Sequence, residues 1–175
     1  MDEARKAENG ALLVIDVQKG LFAKIAPVFR EKELLDNING LIGRARGLGA
    51  LVVFIQHCNP SFLAEGSEGW QLHPALGIGP GDLYIKKKHS NAFKDTVLAA
   101  ELERLEINTI VVAGLVTHGC VQAACLEGKK LGYRVVLISD GHSSWNQEAE
   151  KLIAQWNEKL RDEGILVRQA QDVFV

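Results

Sequence analysis

Three residues of this 175-residue chain, Cys120, Asp16 and Lys87, are of types that together could open an acyl bond. A thiol supplies the nucleophile, a carboxylate takes its proton, and an ammonium steadies both anions. Cys120 follows Val111-Val112-Ala113-Gly114-Leu115-Val116-Thr117-His118-Gly119, an apolar β-branched run that reaches a glycine and a short turn before a helix opens toward Cys125. A helix start offers free N–H groups and the positive end of the dipole, which predicts a thiol below the roughly 8.5 of a free cysteine and a place for an oxyanion. A small buried residue is the alternative reading of the same cysteine. Asp16 ends the run Ala11-Leu12-Leu13-Val14-Ile15, and Lys87 follows Leu83-Tyr84-Ile85. An acid at a strand end can serve a site or merely cap a turn. Lys86 and Lys88 read as solvated charge.

The elements that must position these residues alternate strand with helix. Apolar runs predict strands at 11–15, 50–55, 83–85, 109–113 and 134–138, with Ile165 to Arg168 and Val173 to Val175 as a last strand. Leu34, Leu35, Ile38, Leu41, Ile42, Ala45 and Leu48 recur at three-and-four spacing, a helix with one buried stripe. Further helices are predicted near 96–105, from Cys120 to about 128–132, and over 147–163. This alternation predicts an α/β fold of three layers, α/β/α, around a mostly parallel six-stranded sheet, in one domain over 1–175. In such a sheet Asp16, Lys87 and Cys120 share the carboxyl edge. Residues 56–82 lack periodicity and read as a long loop carrying Phe62, Trp70 and His73. Trp70 is a pocket wall, a loop anchor or a subunit contact on the same signal.

Composition narrows the class. A formal charge of −2 and 47 % hydrophobic residues give no bulk attraction to nucleic acid or membranes. Three cysteines, an odd number, fit a reducing compartment rather than a disulfide framework. The polar start and the lack of a spanning run lead us to expect a cytoplasmic location. The glycine spacing of a nucleotide-binding loop does not follow strand one or strand four.

Leu13-Val14-Ile15-Asp16-Val17-Gln18, Lys87 four residues before Asn91-Ala92-Phe93, and Gly114-Leu115-Val116-Thr117-His118-Gly119-Cys120-Val121 occur in one order over nearly the whole chain. In these motifs the chain resembles the isochorismatase-like cysteine hydrolases, which include nicotinamidases, N-carbamoylsarcosine amidohydrolases and streptothricin hydrolase. The resemblance implies that Cys120 is nucleophile, Asp16 acid and base, and Lys87 electrostatic support, in cleaving a small-molecule amide or related C–N bond through a thioester. It also implies a cis peptide at Val116-Thr117, with Val116, Thr117 and Gly119 shaping an oxyanion site. Asn91 stands where the family usually has Ser, outside the three reactive positions. Gly69-Trp70-Gln71-Leu72-His73-Pro74 and Asp140-Gly141-His142-Ser143 look like the streptothricin hydrolase branch, and Phe22, Trp70, His73 and His142 are candidates for the pocket rim. Nicotinamidases hold a metal through an Asp-x-His pair and a later His. Here His57 and Asn59 replace the pair and only His73 matches, so neither a metal nor another cofactor is expected. Relatives of this kind imply a homodimer or homotetramer. An esterase or lactonase using the same side chains, and a non-catalytic binding protein that keeps the fold, are the alternatives.

Overall fold

Gly10–Ile15 is buried at every position, as expected of a strand with neighbours on both sides and helices on both faces. In the computed structural model, which describes residues 9–24 and 26–175, this segment is β1, at the centre of a six-stranded sheet. The other strands are β2 (Leu51–His57), β3 (Leu83–Lys87), β4 (Thr109–Leu115), β5 (Arg134–Ser143) and β6 (Leu166–Arg168). Their order is β3-β2-β1-β4-β5-β6, and every pairing is parallel. The helices are α1 (Lys19–Phe22), α2 (Glu31–Gly47), α3 (Leu98–Arg104), α4 (Gln122–Lys130) and α5 (Ala149–Asp162).

Alternation along β1 divides the core into two. Leu12 and Val14 join Leu34, Ile38, Leu41 and Ile42 of α2 on one face. Ala11, Leu13 and Ile15 join Leu98 and Leu102 of α3, Ala124 and Cys125 of α4, and Leu160 of α5 on the other. This is the expected three-layer α/β/α arrangement. Ile38 is fully buried, so Ile38→Ala would cost about 2–5 kcal/mol. No helix of the described residues is long and apolar enough to cross a membrane.

Two elements depart from the pattern reading. Val173 to Val175 add no strand: Ala170–Asp172 turns as a 3-10 segment, pinned where the Ala170 N–H donates to Asp140 Oδ1 at 2.8 Å, and β6 stops at Arg168. β5 runs past Ile138 to Ser143, because its register with β4 shifts between Val112 and Gly114 and pairing resumes at His142. Gly141 makes that shift possible, since a Cβ there would stand 2.5 Å from the Ile138 side chain.

Candidate active site

The parallel register brings distant strand ends to one edge. Ile15 of β1 lies opposite Gly114 of β4, and Lys87 of β3 lies opposite His57 of β2. Gly114 permits the close approach, because its φ is 124° and a Cβ would stand 2.1 Å from the Ile15 carbonyl oxygen. Asp16 then leaves β1 in the left-handed region at φ 53°, held by its N–H donating to Ile55 O at 2.9 Å. Aspartate tolerates that conformation better than most side chains.

The Lys87 side chain is fully buried. Its ammonium lies 3.0 Å from Asp16 Oδ2, 2.9 Å from His57 Nδ1, 3.1 Å from His89 O and 3.1 Å from Cys120 Sγ, four acceptors that share its three N–H donors. A buried ammonium requires such compensation. Lysine can only donate, so His57 Nδ1 must be bare and its proton sits on Nε2. Burial, and next the Lys87 charge, push His57 below its ordinary range and keep the ring neutral. Asp16 Oδ1 is buried and has no hydrogen-bond partner among the described residues. Such an oxygen is available to accept a proton.

Cys120 differs from its expectation in one respect. Burial, and then the Asp16 carboxylate, raise its thiol to about 12 against the opposing pull of Lys87. The turn that carries it, Thr117–Val121, is kinked at Gly119, with φ −118° and ψ −111°, and the N–H groups of Gly119 and Val121 both donate to Val116 O. The resting sulfur therefore carries its proton beside a ready acceptor. The cis bond falls at Leu115-Val116 rather than Val116-Thr117, because the chain leaves β4 at Leu115 and bends at the first peptide beyond it.

The sequence carries His57 to this edge at the end of strand two without giving it a role there. A ring nitrogen of His57, a carboxylate oxygen of Asp16 and Cys120 Sγ lie within 4.8 Å of one another, a donor set that could suit a divalent metal. The Lys87 ammonium already sits among these three donors, so the cation at their centre belongs to the chain itself. The only signal in the sequence is position, since His57 ends β2 as Lys87 ends β3.

The other candidates are spread around this centre. Gln18 is fully buried and joins three segments: its Nε2 donates to His57 O at 3.0 Å and Trp70 O at 2.9 Å, and its Oε1 accepts from the His57 N–H at 2.9 Å. That anchors the long loop, and the Trp70 indole N–H meets Cys58 Sγ at 3.2 Å. Phe22 packs on His73 with ring centres 4.6 Å apart. His142 is only 3 % exposed and faces inward to Thr117 instead of standing on a rim, because the shifted β5 carries it into the sheet. A groove of about 620 Å³ along α1, lined by Gly20, Lys24, Phe62, Gly69 and Trp145 among others, reaches none of the three reactive side chains.

An all-parallel sheet of this order, with a thiol, a carboxylate and an ammonium gathered at its carboxyl edge, places a reactive cluster where open α/β sheets bind their ligands. The isochorismatase domain model matches residues 10–167, and the chain belongs to the isochorismatase family. A streptothricin hydrolase of Streptomyces noursei is 34 % identical over 138 residues, covering 78 % of this chain and 50 % of that protein. A maleamate amidohydrolase of Pseudomonas putida is 27 % identical over 149 residues, covering 74 % and 70 %. The crystal structure of an isochorismatase family protein superposes with a TM-score of 0.87 at 30 % identity, covering 92 % of this chain and 98 % of that one. The chain spans about half the length of the streptothricin hydrolases it matches.

Proposed function

We propose that the protein is an amidohydrolase that cleaves a small-molecule amide or related C–N bond, with Cys120 as nucleophile. The observation that carries this reading is the buried Lys87 ammonium between Asp16 Oδ2 and Cys120 Sγ, with Asp16 Oδ1 left without a partner among the described residues. Attack and proton transfer occur together: the sulfur bonds to the carbonyl carbon, the carbonyl electrons move to oxygen, and the thiol proton passes to Asp16. Lys87 steadies the sulfur as it gives up its proton, and the negative charge that leaves the carboxylate ends on the carbonyl oxygen. The turn formed by Val116, Thr117 and Gly119 shapes the place for the oxyanion. Collapse breaks the C–N bond, Asp16 returns the proton to the departing nitrogen, and a thioester remains on Cys120. Water then attacks the thioester, giving its proton to Asp16, which passes it to the leaving sulfur. His57 holds the Lys87 ammonium in place throughout. The name of the maleamate amidohydrolase relative supports an amide-type bond.

The test is ammonia or amine release from a panel of small amides, lactams and carbamoyl compounds, including maleamate and nicotinamide, with the matching esters alongside. Turnover of an amide that disappears in Cys120→Ala is expected. Amide turnover that persists in that variant overturns the nucleophile, and turnover confined to esters overturns the bond class.

A further inference from the structure

Behind the cysteine turn lies a buried polar chain whose proton positions are fixed. Asn157 of α5 donates from Nδ2 to Ser139 O at 3.1 Å, so its Oδ1 is the oxygen that faces His142 Nε2 at 2.8 Å. An amide oxygen only accepts, and His142 must therefore carry its proton on Nε2. That leaves Nδ1 bare, and the Thr117 hydroxyl, 2.8 Å away, must donate to it. Thr117 is 1 % exposed and opens the same turn that ends at Cys120. Burial also holds His142 far below the ordinary histidine range, at about 4, which keeps the ring neutral.

We propose that Asn157 and His142 are positioning residues that hold the nucleophile turn through the Thr117 hydroxyl, tying the Cys120 backbone to β5 and α5. A hydroxyl that can point only one way removes one rotation from the turn, and the rigid elements behind it hold its position. Lys87 fixes the sulfur from the β3 side, and this chain fixes its backbone from the β5 side. Asn157 and His142 reach the nucleophile turn only through Thr117, so the effect falls on kcat and not on KM. The inference rests on the amidohydrolase reading for its kinetic consequence, but its hydrogen-bond pattern stands independently.

Nitrogen-15 NMR of the labelled protein at pH 7 tests the pattern without substrate: His142 should show a bare Nδ1 and a protonated Nε2. An Nδ1–H tautomer or an imidazolium overturns the proposal. In Asn157→Asp a carboxylate accepts from Nε2–H and draws the ring toward the imidazolium, which would force the Thr117 hydroxyl to reverse. Asp140 adds to that pull, and Arg30, Glu33 and Glu150 line the small cavity that His142 borders. The His142 titration should move to higher pH, and an unmoved titration counts against the chain. Maleamate and nicotinamide are the kinetic probes. Thr117→Val, His142→Leu and the double variant should each lose kcat by roughly 10- to 100-fold with KM nearly unchanged, and the double should fall no further than either single. Losses that multiply, or no loss at all, overturn the shared path. If the wild-type protein hydrolyses neither probe, the amide reading fails on these substrates, and the same three variants are compared through the rate at which iodoacetamide alkylates Cys120. Equal changes in all three keep the proposal, and multiplied or absent changes overturn it.

Discussion

Cys120 and Cys125 lie five residues apart on one turn-and-helix segment, and both thiols are raised to about 12. For Cys125 the cause is burial alone, among hydrocarbon of the second core. For Cys120 burial is joined by the Asp16 carboxylate and opposed by the Lys87 ammonium. Equal acidity at rest thus conceals unequal chemistry. What separates a nucleophile from a core residue here is a partner that can receive the proton as the bond forms, with a cation to steady the charge.

Substitution should separate the two thiols most sharply in turnover. Cys120→Ala should reduce amide hydrolysis by at least about 10³-fold without moving the unfolding midpoint, as measured by ammonia release and urea titration. Asp16→Asn comes next, with a loss of roughly 10²–10⁴-fold, because the proton acceptor is gone. Lys87→Met strands a buried carboxylate, and denaturant unfolding should register a loss of about 3–5 kcal/mol. Cys125→Ala should leave hydrolysis within about twofold and lower stability by about 1 kcal/mol. That variant should also flatten part of an alkaline decline. A thiol raised in the folded protein contributes stability that is complete below the unfolded value near 9 and is lost as pH climbs toward about 12, so removing it removes its share of the slope. Lys86→Ala should change stability by less than about 1 kcal/mol, since Lys86, one residue from the buried lysine, makes an exposed pair with Glu65 and a distant contact, 5.6 Å, over the Trp70 ring.

The reactive edge was legible because it is written in local sequence. Asp16 and Lys87 end short apolar runs, and Cys120 follows a strand, a glycine and a turn, so a parallel sheet must carry all three to one side. The acidity of Cys120 was not legible, because it depends on how deep the sulfur lies and on how near Asp16 stands. The end of strand two put His57 at the same edge, but its place opposite Lys87 is a matter of register between two strands, and that register follows from packing. His142 was misread as a rim residue because Gly141 looks like the start of a loop, whereas here it admits a shift in pairing that keeps the strand going. Val173 to Val175 have strand-like composition, but the turn pinned to Asp140 ends the sheet before them.

The most direct measurement is the rate at which iodoacetamide alkylates Cys120 and Cys125 at pH 8, resolved peptide by peptide, in the wild-type protein and in Asp16→Asn. Asp16→Asn removes the acceptor for the thiol proton as the S–C bond forms, so Cys120 should react more slowly and approach the Cys125 rate, while Cys125 does not change. A Cys120 rate that stays level or rises would mean that Asp16 does not take the proton from this sulfur.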